Sequence, residues 1–185
     1  AIFISIYTIW FLGKEIVEVK NFELPKASTL KKKKKVGVLI SGSGTNLQAL
    51  IDYTQNPNNC SSAEIVLVLS NVLSHKNFKK RVDFDMAVHA ILKENGVEIV
   101  CLAGFMRIVS KEFVQLWQGN LLNVHPAILP AFKGMDAHKQ VLEKGAKITG
   151  CTVHFVEAEV DAGAVIQQAA VRVDPEDDVK FCRKR

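Results

Sequence analysis

The run Val36-Gly37-Val38-Leu39-Ile40 passes directly into Ser41-Gly42-Ser43-Gly44-Thr45-Asn46, after which Leu47, Leu50 and Ile51 recur at helical spacing. A short apolar run, a glycine turn and an amphipathic stretch read as strand, tight turn and helix. That junction commits the chain to an α/β arrangement, because a strand buried on both faces needs helices to cover it. The alternation continues. Residues 64–70 read as a second buried strand. Residues 81–95 place Phe84, Val88, Ile91 and Leu92 on one helical face, with Gly96 as the cap, and 97–103 form another strand. A short helix is expected at 111–118, a strand at 121–124 and a helix at 136–144 closed by Gly145. Residues 149–156 and 164–173 read as an antiparallel ribbon. The expected fold class is α/β, with a mixed sheet, helices on both faces and the glycine loop after the first buried strand.

One connection conflicts with this pattern. After the strand ending near Asn71 only residues 72–80 precede the next helix, too few for a crossover helix and another strand, since a parallel crossover takes about a dozen residues or more. Either the connection changes edge or direction, or a βα unit is missing.

The 185 residues, 48% hydrophobic and 23% charged, suit one globular domain with a substantial core and exclude collagen-like, disulfide-scaffold and wholly disordered classes. The net charge of +5 is local: Lys31 to Lys35 supply five positives, and Lys180, Arg183, Lys184 and Arg185 four more. The remainder is acidic on balance, so the composition does not point to nucleic acid. The apolar opening AIFISIYTIWFL is shorter than the roughly 20 residues of a membrane span and has no cationic segment before it. Together with the charged stretch to Lys35 it reads as an extension and linker, 1–35, with the domain starting at Val36. Cys60, Cys101, Cys151 and Cys182 are widely spaced, with no C-x-x-C pair and no metal-ligand spacing. A reducing cytosol suits them. Cys101 and Cys151 lie in apolar runs, where a cysteine serves as a small buried hydrophobe.

Three groups carry candidate chemistry. Ser41 to Asn46, between strand and helix, has the context of a phosphate site: the glycines let the backbone approach an anion, and Thr45 and Asn46 add donors at the helix start. Position 47 is Leu and no Gly-Lys-Ser/Thr follows, so a single phosphate suits the loop better than NAD or ATP; the competing reading is a tight turn with an N-cap. Asn123-Val124-His125-Pro126 closes a strand, and alternation puts Asn123 and His125 on one face, where a carboxamide and an imidazole together can polarise a carbonyl and handle a proton. Val160-Asp161-Ala162-Gly163 joins the ribbon strands, with Thr152 and His154 on the polar face of the first. Asp161 is ordinary turn chemistry unless it faces His125.

The segments GVLISGSGTNLQALID, VCLAGFMRIVS, LLNVHPAILPAFKGMDAH and GCTVHFVEAEVDAGAVIQQ occur in this order. Together they resemble phosphoribosylglycinamide formyltransferase, a family of purine synthesis, from Val36 to about Val173. The resemblance implies an α/β formyltransferase fold and transfer of a formyl group from 10-formyltetrahydrofolate, as co-substrate, to the glycinamide ribotide amine, with no metal. It implies a catalytic set of Asn123, His125 and Asp161, and Gly44, Thr45 and Asn46 on the substrate phosphate. On the folate side it implies Arg81, the backbone of Met106, Arg107, Ile108 and Val109, and the loop Glu157, Ala158, Glu159, Val160 and Asp161. Without it, Met106, Ile108 and Val109 read as core and Arg81 as a solvated helix start. The implied domain runs over 36–175, followed by a non-matching tail at 176–185.

Two departures accompany the likeness. The family carries a helix and a strand between the positions matching Asn71 and Val72, and continues into a C-terminal helix where this sequence stops matching. Residues 17–35 loosely resemble the linker before this domain in multifunctional animal enzymes. The implied partners are the two small-molecule substrates, with no nucleic acid and no membrane, in the cytoplasm. Within the fold, methionyl-tRNA formyltransferase needs an RNA-binding domain, and formyltetrahydrofolate deformylase would not require the phosphate loop for its chemistry. A non-catalytic fragment with weak ligand binding is the reading from a different class.

Overall fold

A computed structural model describes residues 32–42, 44–71 and 78–179, together with the backbone of four short N-terminal strands. Ser43, residues 72–77, Cys182 and the rest of the basic tail lie outside the described residues, as does Lys31 of the lysine run. The chain divides into two compact units, Ala1–Leu121 and Leu122–Arg185.

In the first unit the N-terminal strands are β1 (Ile2–Ile6), β2 (Phe11–Leu12), β3 (Glu15–Ile16) and β4 (Phe22–Leu24). They are followed by β5 (Lys34–Ile40), α1 (Thr45–Gln55), β6 (Ala63–Ser70), α2 (Arg81–Glu94), β7 (Ile99–Leu102) and α3 (Lys111–Leu116). β5 lies between β6 and β7 and is parallel to both. β6 and β7 lie on opposite sides of β5, with α2 between them in sequence, and residues 72–77 of the crowded connection lie outside the described residues.

Val38, Leu39, Leu67, Val100 and Leu102 form the buried centre of these strands, and Phe84, Val88 and Leu92 are the buried stripe of α2. Gly37 is a packing requirement: a Cβ there would stand 2.6 Å from Leu92 Cδ2. α2 closes as the sequence implies, with Val97 N–H donating to the Leu92 carbonyl at 3.0 Å beside Gly96.

Two expectations for the N-terminal region need correction. β5 begins at Lys34, two residues inside the expected linker, because Glu98 receives the lysines: Lys34 Nζ is 2.7 Å from Glu98 Oε1 and Lys35 N–H donates to Oε2 at 3.0 Å. The apolar opening also contributes a strand. β1 pairs parallel with β6 at Ser5↔Leu67 and Ile6↔Val68, and antiparallel with β4. An unpaired edge of a buried parallel strand attracts such a β-prone segment.

The second unit contains β8 (Leu121–His125, from Leu122 onward), α4 (Ala137–Glu143), β9 (Ile148–Phe155) and β10 (Val165–Arg172). β8, β9 and β10 pair antiparallel in that order, so the expected ribbon is present. Its core includes Ala127, Leu129, Ala137, Val141 and Val173. Cys101 is buried, which pushes its thiol up to about 11, whereas Cys151 is only half-buried and Cys60 is exposed. Among the described residues no helix is long and apolar enough to cross a membrane.

Candidate functional site

The register of β8 on β9 sets Asn123 opposite His154 and His125 opposite Thr152. The face expected to be polar is therefore buried: Thr152 is fully enclosed and His154 is 2% exposed. Thr152 Oγ1 donates to the Ala127 carbonyl at 2.7 Å and accepts the Leu129 N–H at 3.0 Å, fixing the backbone just after His125. Gln168 Nε2 donates to the Leu129 carbonyl at 2.8 Å and ties β10 to the same loop.

Asp161 faces His125, the contact that sequence spacing leaves open. Its Oδ2 is 3.3 Å from His125 Nδ1, and its Oδ1 is 3.5 Å from His154 Nε2. The Gly134 N–H also donates to Oδ2, at 2.7 Å. One nearly buried carboxylate thus spans two imidazoles. His125 Nε2 lies 2.8 Å from the Phe132 carbonyl, which can only accept, so that nitrogen carries a proton. Both ring nitrogens of His125 then face acceptors, an arrangement the imidazolium satisfies. His154 Nδ1 likewise donates to the Phe155 carbonyl at 2.8 Å. Its Nε2 lies 3.2 Å from Asn123 Nδ2 and 3.5 Å from Asp161 Oδ1, so the carboxamide sits beside the same carboxylate.

The turn that delivers Asp161 is tightly specified. Asp161 has φ +52°, a left-handed conformation that Asp tolerates better than most residues. At Gly163 an added Cβ would stand 1.9 Å from the Phe155 carbonyl oxygen, so only glycine fits where the turn closes on β9. Glu157 to Val160 form the exposed approach to it.

In the first unit, Gly44 has φ +79° and precedes α1 with no side-chain hydrogen bond capping the helix. Gly44 is thus the N-cap, a left-handed turn glycine as the tight-turn reading has it, and Thr45 and Asn46 are exposed in the first turn of α1. Ser41 stitches this loop to the Met106–Val109 segment. Its N–H donates to the Gly104 carbonyl at 3.1 Å, and its Oγ accepts the Met106 N–H at 2.7 Å. Met106 and Ile108 are 71% and 52% exposed, which overturns their reading as core, while Val109 is half-buried. Their apolar spacing is that of a strand end, but the backbone is held open by Ser41. Arg81 is exposed at the first position of α2.

Sequence reasoning missed Asp85. It is buried on α2, its Oδ2 accepts the Ser110 N–H at 2.6 Å, and Oδ1 lies 3.9 Å from Arg107 Nε. The signal was readable: positions 85, 88 and 92 have apolar-stripe spacing, and the first is a carboxylate. Among the described residues no group of three or more His, Cys, Asp and Glu side chains is placed to hold a metal ion.

The formyl transferase family model matches residues 70–185. The chain is 51% identical to the human trifunctional purine biosynthetic protein adenosine-3 over 90% of its own length, and it spans 18% of that protein. It is 37% identical to phosphoribosylglycinamide formyltransferase of Haemophilus influenzae, covering 82% of this chain and 79% of that one. The crystal structure of glycinamide ribonucleotide transformylase 1 from Symbiobacterium toebii superposes with a TM-score of 0.77 at 37% identity, covering 86% of this chain and 84% of that one.

Proposed function

We propose, from the premise that this chain belongs to the formyl transferase family, that it transfers the formyl group of 10-formyltetrahydrofolate to the amine of 5′-phosphoribosylglycinamide in purine synthesis. The observation that carries the reading is Asp161 set against His125 and His154, with Asn123 held across the strand pair.

In this reading the ribotide phosphate lies on Gly44, Thr45 and Asn46, where a helix start and a left-handed glycine suit a single anion. The donor's pterin meets the backbone of Met106, Arg107, Ile108 and Val109 and the loop Glu157 to Asp161, with Arg81 on the donor's acidic tail. The amine attacks the formyl carbon, forming a C–N bond and a tetrahedral oxyanion. Asn123 Nδ2–H and the His125 imidazolium stabilise that charge, while Asp161 holds the imidazolium and a water that carries the amine proton. Collapse breaks the bond from the formyl carbon to the folate nitrogen, which takes up the proton. Fixed donors of this kind each contribute about 10²-fold or more.

A glycine loop of this kind at a helix start favours the ribotide enzyme over a hydrolase acting on formylfolate alone, because hydrolysis needs no second anchored substrate. We place the protein in the cytoplasm and within a multifunctional purine-synthesis polypeptide, on the strength of its cysteine usage and its likeness to the human trifunctional protein. A transfer assay tests the activity: donor consumption that depends on ribotide and yields formylated ribotide is expected, and formate release without ribotide would favour hydrolysis.

A further inference from the structure

A buried carboxylate is a costly feature in a helix stripe where an apolar residue would pack as well. Asp85 is 2% exposed among Phe84, Val88 and Leu92, and it is directed at one short segment. Its Oδ2 takes the Ser110 N–H at 2.6 Å, and Ser110 Oγ in turn caps α3 by accepting the Phe113 N–H at 3.3 Å. Its other oxygen faces Arg107 Nε at 3.9 Å, beyond hydrogen-bond reach, and the Arg107 guanidinium lies over the Phe84 ring, 4.5 Å from its centroid. Arg107 Nε is buried with no hydrogen-bond partner, so the pair is not arranged for maximal stability. At the other end of the segment Ser41 Oγ holds the Met106 N–H. The stretch between these anchors presents Met106 and Ile108 outward.

We propose that Asp85 is a positioning residue for the formyl donor: by holding Arg107 and the Ser110 N–H it sets the backbone of Met106 to Val109 against the donor's pterin. This rests on the reading of that segment as the donor side. With Met106 held by Ser41 at one end, a carboxylate that takes the Ser110 N–H at the other and faces the Arg107 side chain between them fixes the direction of the segment's peptide groups. Donor recognition by main-chain groups depends on that direction more than on side-chain identity. Asparagine at this position keeps its one oxygen as acceptor for the Ser110 N–H but turns its NH2 toward Arg107, a donor facing a cation, so it loosens the segment at Arg107. Alanine releases both.

The test is steady-state kinetics of Asp85→Asn and Asp85→Ala with 10-formyltetrahydrofolate and ribotide, alongside melting temperatures and amide hydrogen exchange over residues 106–110. For Asp85→Asn the expected result is a donor KM raised about tenfold or more, with ribotide KM and saturated kcat nearly unchanged. Its melting temperature should be undiminished, and its 106–110 amides should exchange faster without any ligand. Asp85→Ala should show a larger KM effect; if it fails to fold, Asp85→Asn still decides. An unchanged donor KM with a lowered melting temperature, or equal rises in both KM values, would overturn the proposal and leave Asp85 a structural residue. A wild-type chain that consumes no donor with ribotide would instead overturn the functional reading, and this inference with it.

Discussion

Asp161 concentrates the account at the scale of single residues. Its left-handed backbone, its nearly buried carboxylate and its contacts to His125, His154 and the Gly134 N–H all aim one charge at one place. His125→Ala and Asp161→Asn should each lower kcat by about 10²-fold or more while leaving folate binding largely intact, because both act on charge that develops in the transition state. Steady-state assays of each variant check this, and near-wild-type turnover in either would remove that residue from the mechanism. Asp85 gives a second prediction, on stability. Burial raises its carboxyl above the ordinary carboxylate range, outweighing the opposing Ser110 hydrogen bonds and the Arg107 and Arg81 charges. The native state therefore holds this proton to higher pH than the unfolded chain does. Its stability contribution is present below the ordinary carboxylate value and is lost as pH rises through the raised one. Denaturant unfolding of wild type and Asp85→Asn across pH 3.5 to 7, taken as a working window around typical carboxylate values, should show wild type losing ground relative to the variant as pH rises. The opposite trend would mean that the native carboxylate is net stabilised.

Among the elements, the strand–turn–helix junction at α1 was the most legible in the sequence and is the most directly testable. Gly44 holds φ +79°, where a β-branched side chain costs about 1–3 kcal/mol. Gly44→Val should weaken ribotide binding far more than folate binding in calorimetry, and equal losses would point to unfolding of the whole unit. The helices and ribbon strands were readable because periodicity reports which face is buried, and the structure places them within a few residues of their expected bounds. Periodicity failed where a backbone contact decides exposure. Met106 and Ile108 look like core until the Ser41 hydroxyl pulls their backbone outward. Lys34 and Lys35 look like linker until Glu98 accepts them into β5. Thr152 and His154 alternate as a polar face, but the antiparallel register places them against Asn123 and His125. Register between distant strands is a tertiary quantity, so the Asp161–His125 contact could be named as a condition in the sequence and only met in the fold.

At the scale of the whole molecule, β1 pairs with β6 at Ser5↔Leu67 and Ile6↔Val68, and the sequence resemblance implies a further helix and strand in the family between the positions of Asn71 and Val72. Ile65, Leu67, Val68 and Leu69 of β6 are buried, and widening the sheet there would add buried apolar area at about 25 cal/mol per Å², against a total stability of about 5 to 15 kcal/mol. Inserting the family's strand and helix between Asn71 and Val72 should therefore raise the melting temperature and the specific transfer activity together, and identical melting with identical turnover would show that the shorter connection is tolerated. The most direct test of the central claim follows one carbon atom. With 10-formyltetrahydrofolate labelled in its formyl group, the wild-type chain should place the label in the formamide of the ribotide, one label per donor consumed, and His125→Ala should place almost none. Label recovered as free formate at the same rate with and without ribotide, or transfer by His125→Ala at the wild-type rate, would contradict the account.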